Sequence, residues 1–216
     1  MRAPLYIFLF SALSLLGAPA AELSPEARLA ELVEEGLPQA PLLERIREGR
    51  AKQVGCEAIV GALDIRARHL RESRALLEQS GFAMRAPAVQ PLWITAARVL
   101  EGGFPVPLLE ERFALSQGQG AGRLISLLEA GEALWIAGMD EETVRMCLQL
   151  FYERNLTRIE LLRASRSARS LFAEGHHGEA MLRHMEGHHS AGPHRAAEGR
   201  GGNGLHRRHF TRPARE

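Results

Sequence analysis

Val33-Glu34-Glu35-Gly36-Leu37-Pro38-Gln39-Ala40-Pro41-Leu42-Leu43-Glu44 spells the end of one helix, a corner and the start of the next. Glycine takes the left-handed conformation that closes a helix, the apolar residue after it folds back on the last turn, and proline prevents continuation. The same punctuation returns as Val99-Leu100-Glu101-Gly102-Gly103-Phe104-Pro105-Val106-Pro107-Leu108-Leu109-Glu110. The offset of about 66 residues is the mark of an internal repeat. A third corner of this type is Ala137-Gly138-Met139-Asp140, where Asp140 has the side chain of an N-cap. Gly36, Pro38, Gly103, Pro105, Gly138 and Asp140 are therefore the expected structural corners of packed αα-hairpins.

Outward from the first corner, Ser24 and Pro25 open a helix whose apolar stripe is Ala27, Leu29, Ala30, Leu32 and Val33. On the other side a helix from about Pro41 to Gln53 turns Leu42, Leu43 and Ile46 inward. After Gly55 the longest helix, about Glu57 to Gln79, carries Ile59, Val60, Leu63, Leu70, Leu76 and Leu77 at three- and four-residue spacings. Phe82 to Pro91 reads as a connector, and further helices follow at about 124–136, 140–154 and 156–172. Apolar content of 45% with only 6% aromatic residues favours helices packed on helices over a sheet, which draws on β-branched and aromatic side chains. The expectation is an all-α fold of about seven or eight helices in two related units, residues 21–83 and 84–173 packed on each other, as a bundle or a short α-solenoid.

The two ends differ from this middle. Arg2, the apolar run Leu5 to Leu16 and the small residues Ala18-Pro19-Ala20 form a secretory signal over residues 1–20, so the protein is expected to be exported to the periplasm or beyond. No later stretch approaches the ~20 apolar residues of a membrane-spanning helix. From 174 to 216 the chain turns to His, Gly and Arg and holds every histidine but His69, which predicts a disordered tail. Within it His177, Met181, His184 and His188 share one face if Glu179 to Gly187 becomes helical. Imidazole with thioether suits copper, and imidazole alone suits zinc or nickel. The alternative is a low-complexity polar tail without a ligand.

Elsewhere the sequence narrows the function classes. With 27 basic residues against 26 acidic ones there is no overall field to recruit nucleic acid, and no motif for reading a nucleic-acid sequence occurs. The glycine-rich stretch 116–122 lacks the Lys-Ser/Thr of a phosphate loop. Serines occur without a nucleophile elbow, and His69 stands among Arg66, Arg68, Arg71 and Glu72 on a helix face expected to be solvated. No catalytic residue is assigned. Cys56 and Cys147 form an even pair in an oxidising compartment, and a disulfide between them would stabilise the fold by ~4 to 5 kcal/mol in the chain-entropy model. The alternative is two separate buried thiols, since free cysteine packs as a small hydrophobe.

Gly36-Leu37-Pro38, a leucine-rich helix ending in Glu48-Gly49, then Lys52-Gln53-Val54, a long arginine-rich helix and a second, degenerate copy together resemble uncharacterised exported helical proteins of GC-rich bacteria, over about Leu29 to Ala164. Gln53 and Gly55 depart from the Gly-Val-Pro that this pattern favours. The resemblance brings a fold and a compartment but no activity. The expected role is that of a non-enzymatic binding or scaffolding protein whose partner is an envelope protein or peptide. The rival is a protein that handles copper, nickel or zinc through its histidines.

Overall fold

The computed structural model describes residues 24–115 and 120–190, so the expected signal segment and residues 191–216 lie outside it. Among the described residues there are nine α-helices and no strand. They are α1 (Pro25–Glu34), α2 (Gln39–Ala51), α3 (Cys56–Gln79), α4 (Val89–Glu101), α5 (Val106–Leu115), α6 (Ala121–Ile136), α7 (Glu141–Glu153), α8 (Arg158–Ala173) and α9 (Gly178–Ser190). The protein is all-α, as its periodicity implies. None of these helices is long and apolar enough to cross a membrane.

One corner geometry joins most of them. At Gly36 the residue after the helix sits at φ +86°, its N–H donates to Val33 O at 2.9 Å, and the next N–H, that of Leu37, donates to Leu32 O at 3.1 Å. This pair of bonds satisfies two carbonyls that the helix end would otherwise leave open. The same two bonds recur around Gln53, Gly81, Gly103, Gly138, Asn155 and Gly175. Each of these residues has a positive φ. At most corners the second residue beyond is extended and begins the next helix, as Pro38, Gly55, Asp140 and Thr157 do. Asp140 and Thr157 add side-chain caps, accepting from the Thr143 and Glu160 N–H groups respectively.

Gln53 holds a left-handed conformation at φ +57° that glycine adopts without a Cβ clash. Gln53→Gly should therefore stabilise the fold, by up to about 1 kcal/mol after glycine's larger unfolded-state entropy is subtracted. The check is the urea midpoint at constant m-value. Gly36→Val, which places a β-branched residue at φ +86°, should move it the other way.

The helices pack in a row. α1 and α2 lie on α3, α3 lies along α4, α4 on α6 and α6 on α8, while α7 bridges α6, α8 and α9. On the inner face of α3, Ile59, Leu63, Ala67, Leu70 and Leu77 recur at helical spacing and are buried. α4 meets them with Leu92, Trp93, Ala96 and Leu100, and the Trp93 indole N–H donates to the Leu70 carbonyl at 2.6 Å. One apolar core runs without interruption from Leu29 to Met185. It crosses the expected unit boundary at residues 83 and 84, so the two halves share their interior. Gly131 in α6 lies against this core so closely that a Cβ there would stand 3.1 Å from Leu148 Cδ1 and 3.2 Å from the Phe104 ring.

The described helices extend further than the composition suggests. Residues 178–190, expected to be disordered, form α9, and Met181 and Met185 are buried against the core at 0% and 2% exposure. Two methionines one helical turn apart give α9 an apolar stripe, enough to dock a short helix that its His and Gly content obscures.

Candidate functional site

The corner that closes α2 is unlike the others. The apolar residue after the left-handed position is buried at Leu37, Phe104 and Met139, but Val54 is 46% exposed. On α3, Ile65 is also 46% exposed. Both line a cleft of about 270 Å³ between α2 and α3, with Ala58, Ile59 and Ala62 as its apolar wall and Arg45, Glu48, Lys52 and Glu101 around it. Gly49 also lines this cleft, and there α2 and α3 come so close that a Cβ would meet Ile59 Cγ1 at 2.6 Å. The volume lies below the ~300 to 1,000 Å³ of a typical small-molecule site.

Beneath it lies a buried ion network. Glu101 at the end of α4 receives Arg45 of α2 at 2.6 Å and Arg66 of α3 at 2.8 Å. Arg66 is only 6% exposed, and burial pulls its guanidinium below the ordinary arginine value while Glu101 opposes the shift. Burial pulls on Arg45 too, but hydrogen bonds to Glu101 and Glu48 hold it above its ordinary value. One carboxylate therefore ties three helices together below the cleft. Arg66 was expected on a solvated face with His69; instead both turn inward, and His69 Nδ1 lies 3.3 Å from Glu72 Oε2 with most of its ring covered. Charge alone misplaces such a residue, because the long arginine stem is apolar and its partner lies on another helix.

The remaining residues singled out in the sequence fall in separate places. Gly36, Gly103 and Gly138 occupy left-handed corner positions, and Pro38 and Asp140 are N-caps. Pro105 precedes α5, where its carbonyl accepts from Leu109 N–H at 3.3 Å. Backbone and side-chain hydrogen bonds from Thr143 hold the Asp140 carboxyl below the usual range. Cys56 and Cys147 do not form the disulfide entertained above. Both are free: Cys56 is exposed at the start of α3, and Cys147 is buried in α7. A bond needs Cα atoms within about 7 Å and Cβ vectors that face each other, and a thiol enclosed by the core cannot meet an exposed one without opening it. Burial, with a smaller contribution from Asp140, pushes the Cys147 thiol up to about 12. A thiol-specific reagent should accordingly label Cys56 and leave Cys147 unmodified until the protein is unfolded, a result that mass spectrometry of labelled peptides reads directly.

The histidine set is rearranged. Met181 is in the core and faces away from solvent, so its thioether does not join the imidazoles. The His177 ring packs edge-on against Phe172, with centroids 4.9 Å apart. His176, which stands where other corners place an apolar residue, packs instead on His184, with ring centroids 4.4 Å apart and planes tilted by 46°. His188 lies in α9 one turn after His184. Among the described residues no three His, Cys, Asp or Glu side chains gather into a metal-holding group. Arg163, Arg166, Ser167 and Ser170 of α8 and Met185 of α9 line an open trough of about 660 Å³. Set against protein-family models, curated proteins and solved structures, the chain finds no match.

Proposed function

We propose that this chain is an exported, non-enzymatic helical scaffold of the cell envelope that binds a protein or peptide partner at the α2–α3 cleft. The observation that carries this reading is the exposure of Val54 and Ile65 in a cleft bordered by charged side chains, at a corner type that buries its apolar residue at Leu37, Phe104 and Met139. Isolated exposed apolar residues are ordinary, but two in one concavity with a fixed polar border have the anatomy of a small interface core. The Arg45–Glu101–Arg66 network holds α2, α3 and α4 in register below it. A partner then meets a formed surface rather than one it must order.

The test is site-specific photo-crosslinking in the producing cell, with the crosslinker at position 54 or 65 and, as a control, at the exposed position 34 of α1. A discrete adduct from 54 and 65, absent from 34, with the adduct at 54 lost in Ile65→Asp and the adduct at 65 lost in Val54→Asp, is the expected result. Adducts of equal yield from all three positions, or none from 54 and 65, would reject the cleft as the binding surface.

A further inference from the structure

The corner between α8 and α9 carries chemistry that scaffolding does not need. Gly175 turns the chain at φ +89°, and the His176 N–H that follows donates to Leu171 O at 2.9 Å. The backbone of His176 is thereby fixed to the end of α8. α9 is fixed in turn by Met181 and Met185, both buried, which leaves the exposed His184 on its outer side. Two histidines anchored on different helix ends are thus brought to 4.4 Å between ring centroids.

We propose that His176 and His184 together bind a single divalent transition-metal ion of the zinc, nickel or copper class, with water in its remaining positions. A nitrogen ligand lies ~2.0 to 2.1 Å from such an ion. Adding about 1.1 Å from nitrogen to ring centre puts each centre ~3.2 Å from the metal, so two rings at 90 to 110° about it stand roughly 4.5 to 5.2 Å apart. The observed 4.4 Å falls just below that span. A small rotation about the side-chain bonds of the exposed His184 then sets both nitrogens on one ion. His177 and Met181 are excluded from the set because one ring is held on Phe172 and the thioether is in the core. Bound metal cross-links the corner to α9 and so stabilises the last hairpin.

The experiment is calorimetric titration of the tag-free full chain with zinc, nickel and copper chlorides, repeated on His176→Gln, His184→Gln, His177→Gln and Met181→Leu. One ion should bind per chain, more tightly as pH rises from about 5 to about 8, since ligating imidazoles must be deprotonated. His176→Gln and His184→Gln should each weaken it by at least ~tenfold, the scale set by loss even of outer-shell support. His177→Gln and Met181→Leu should leave the affinity within about twofold. Circular dichroism of each variant at zero metal checks that α9 stays helical, and His184→Gln, at an exposed position, provides the test free of folding effects. Several weak ions per chain with losses shared evenly among the histidines, or a loss on Met181→Leu equal to that on His184→Gln, would overturn the site. So would the absence of any saturable binding.

Discussion

Trp93→Ala should lose about 3 to 5 kcal/mol, the range for truncating a buried aromatic. Trp93 fills the seam between α3 and α4, donates to the Leu70 carbonyl at 2.6 Å and lies under the Arg74 guanidinium at 5.8 Å. Truncation empties the seam, removes the bond to a carbonyl that Ser73 Oγ also uses, and exposes the faces of both helices. Against a total stability of ~5 to 15 kcal/mol such a loss brings the chain near unfolding at 37 °C. Trp93→Phe keeps most of the volume but not the hydrogen bond, and should cost only about 1 to 2 kcal/mol. Urea unfolding followed by circular dichroism separates the two variants. Equal stability of Trp93→Ala and the parent protein would mean that α3 and α4 are not packed through this residue.

Glu101→Ala should cost about 2 to 4 kcal/mol, below the ~3 to 5 of a fully buried pair because part of the Glu101 side chain remains in water. The loss comes chiefly from Arg66, left as a buried cation without its carboxylate. Removing Arg66 has a different consequence. Arg66→Met keeps an apolar stem in the same space, and Glu101 still has Arg45 at 2.6 Å, so the cost should stay below about 1 kcal/mol. In Arg66→Met/Glu101→Ala the buried cation is gone, and much of the loss should be regained. A double-mutant cycle measures this coupling directly. If Arg66→Met proved as damaging as Glu101→Ala, the pair would be stabilising by attraction and not by avoidance of an unpaired charge.

The corners were legible in the sequence because each is local. Gly36-Leu37-Pro38 and Gly138-Met139-Asp140 contain within three or four residues the left-handed position, the apolar fold-back and the next cap. Gln53-Val54-Gly55 builds the same turn with different chemistry, glutamine at the left-handed position and glycine at the N-cap, and so looked irregular. What was not legible is non-local. Nothing near Arg66 in the sequence announces that Glu101 will neutralise it, nor that Arg112 will be fully buried with Gln149 of α7 beside it at 3.3 Å. α9 was missed for another reason: its burial rests on Met181 and Met185, and a composition averaged over histidines, glycines and arginines hides two residues placed one turn apart. That same placement removes Met181 from the imidazoles and brings His176, which the sequence reading left outside the ligand set, against His184.

Both candidate sites depend on one structural claim, that a single core runs from α1 to α9 and fixes the corners at its two ends. Native-state hydrogen exchange of the full chain tests it most directly, because amides in a shared core open together while those of an undocked segment exchange at once. The amides of Leu63 and Leu70 in α3, Leu127 in α6 and Met185 in α9 should all be protected. Met185 should become as exposed as a free peptide only when α8 opens. Immediate exchange at Met185 beside a fully protected α3 would contradict the account, because α9 would then be part of the tail and the histidine corner would not be held.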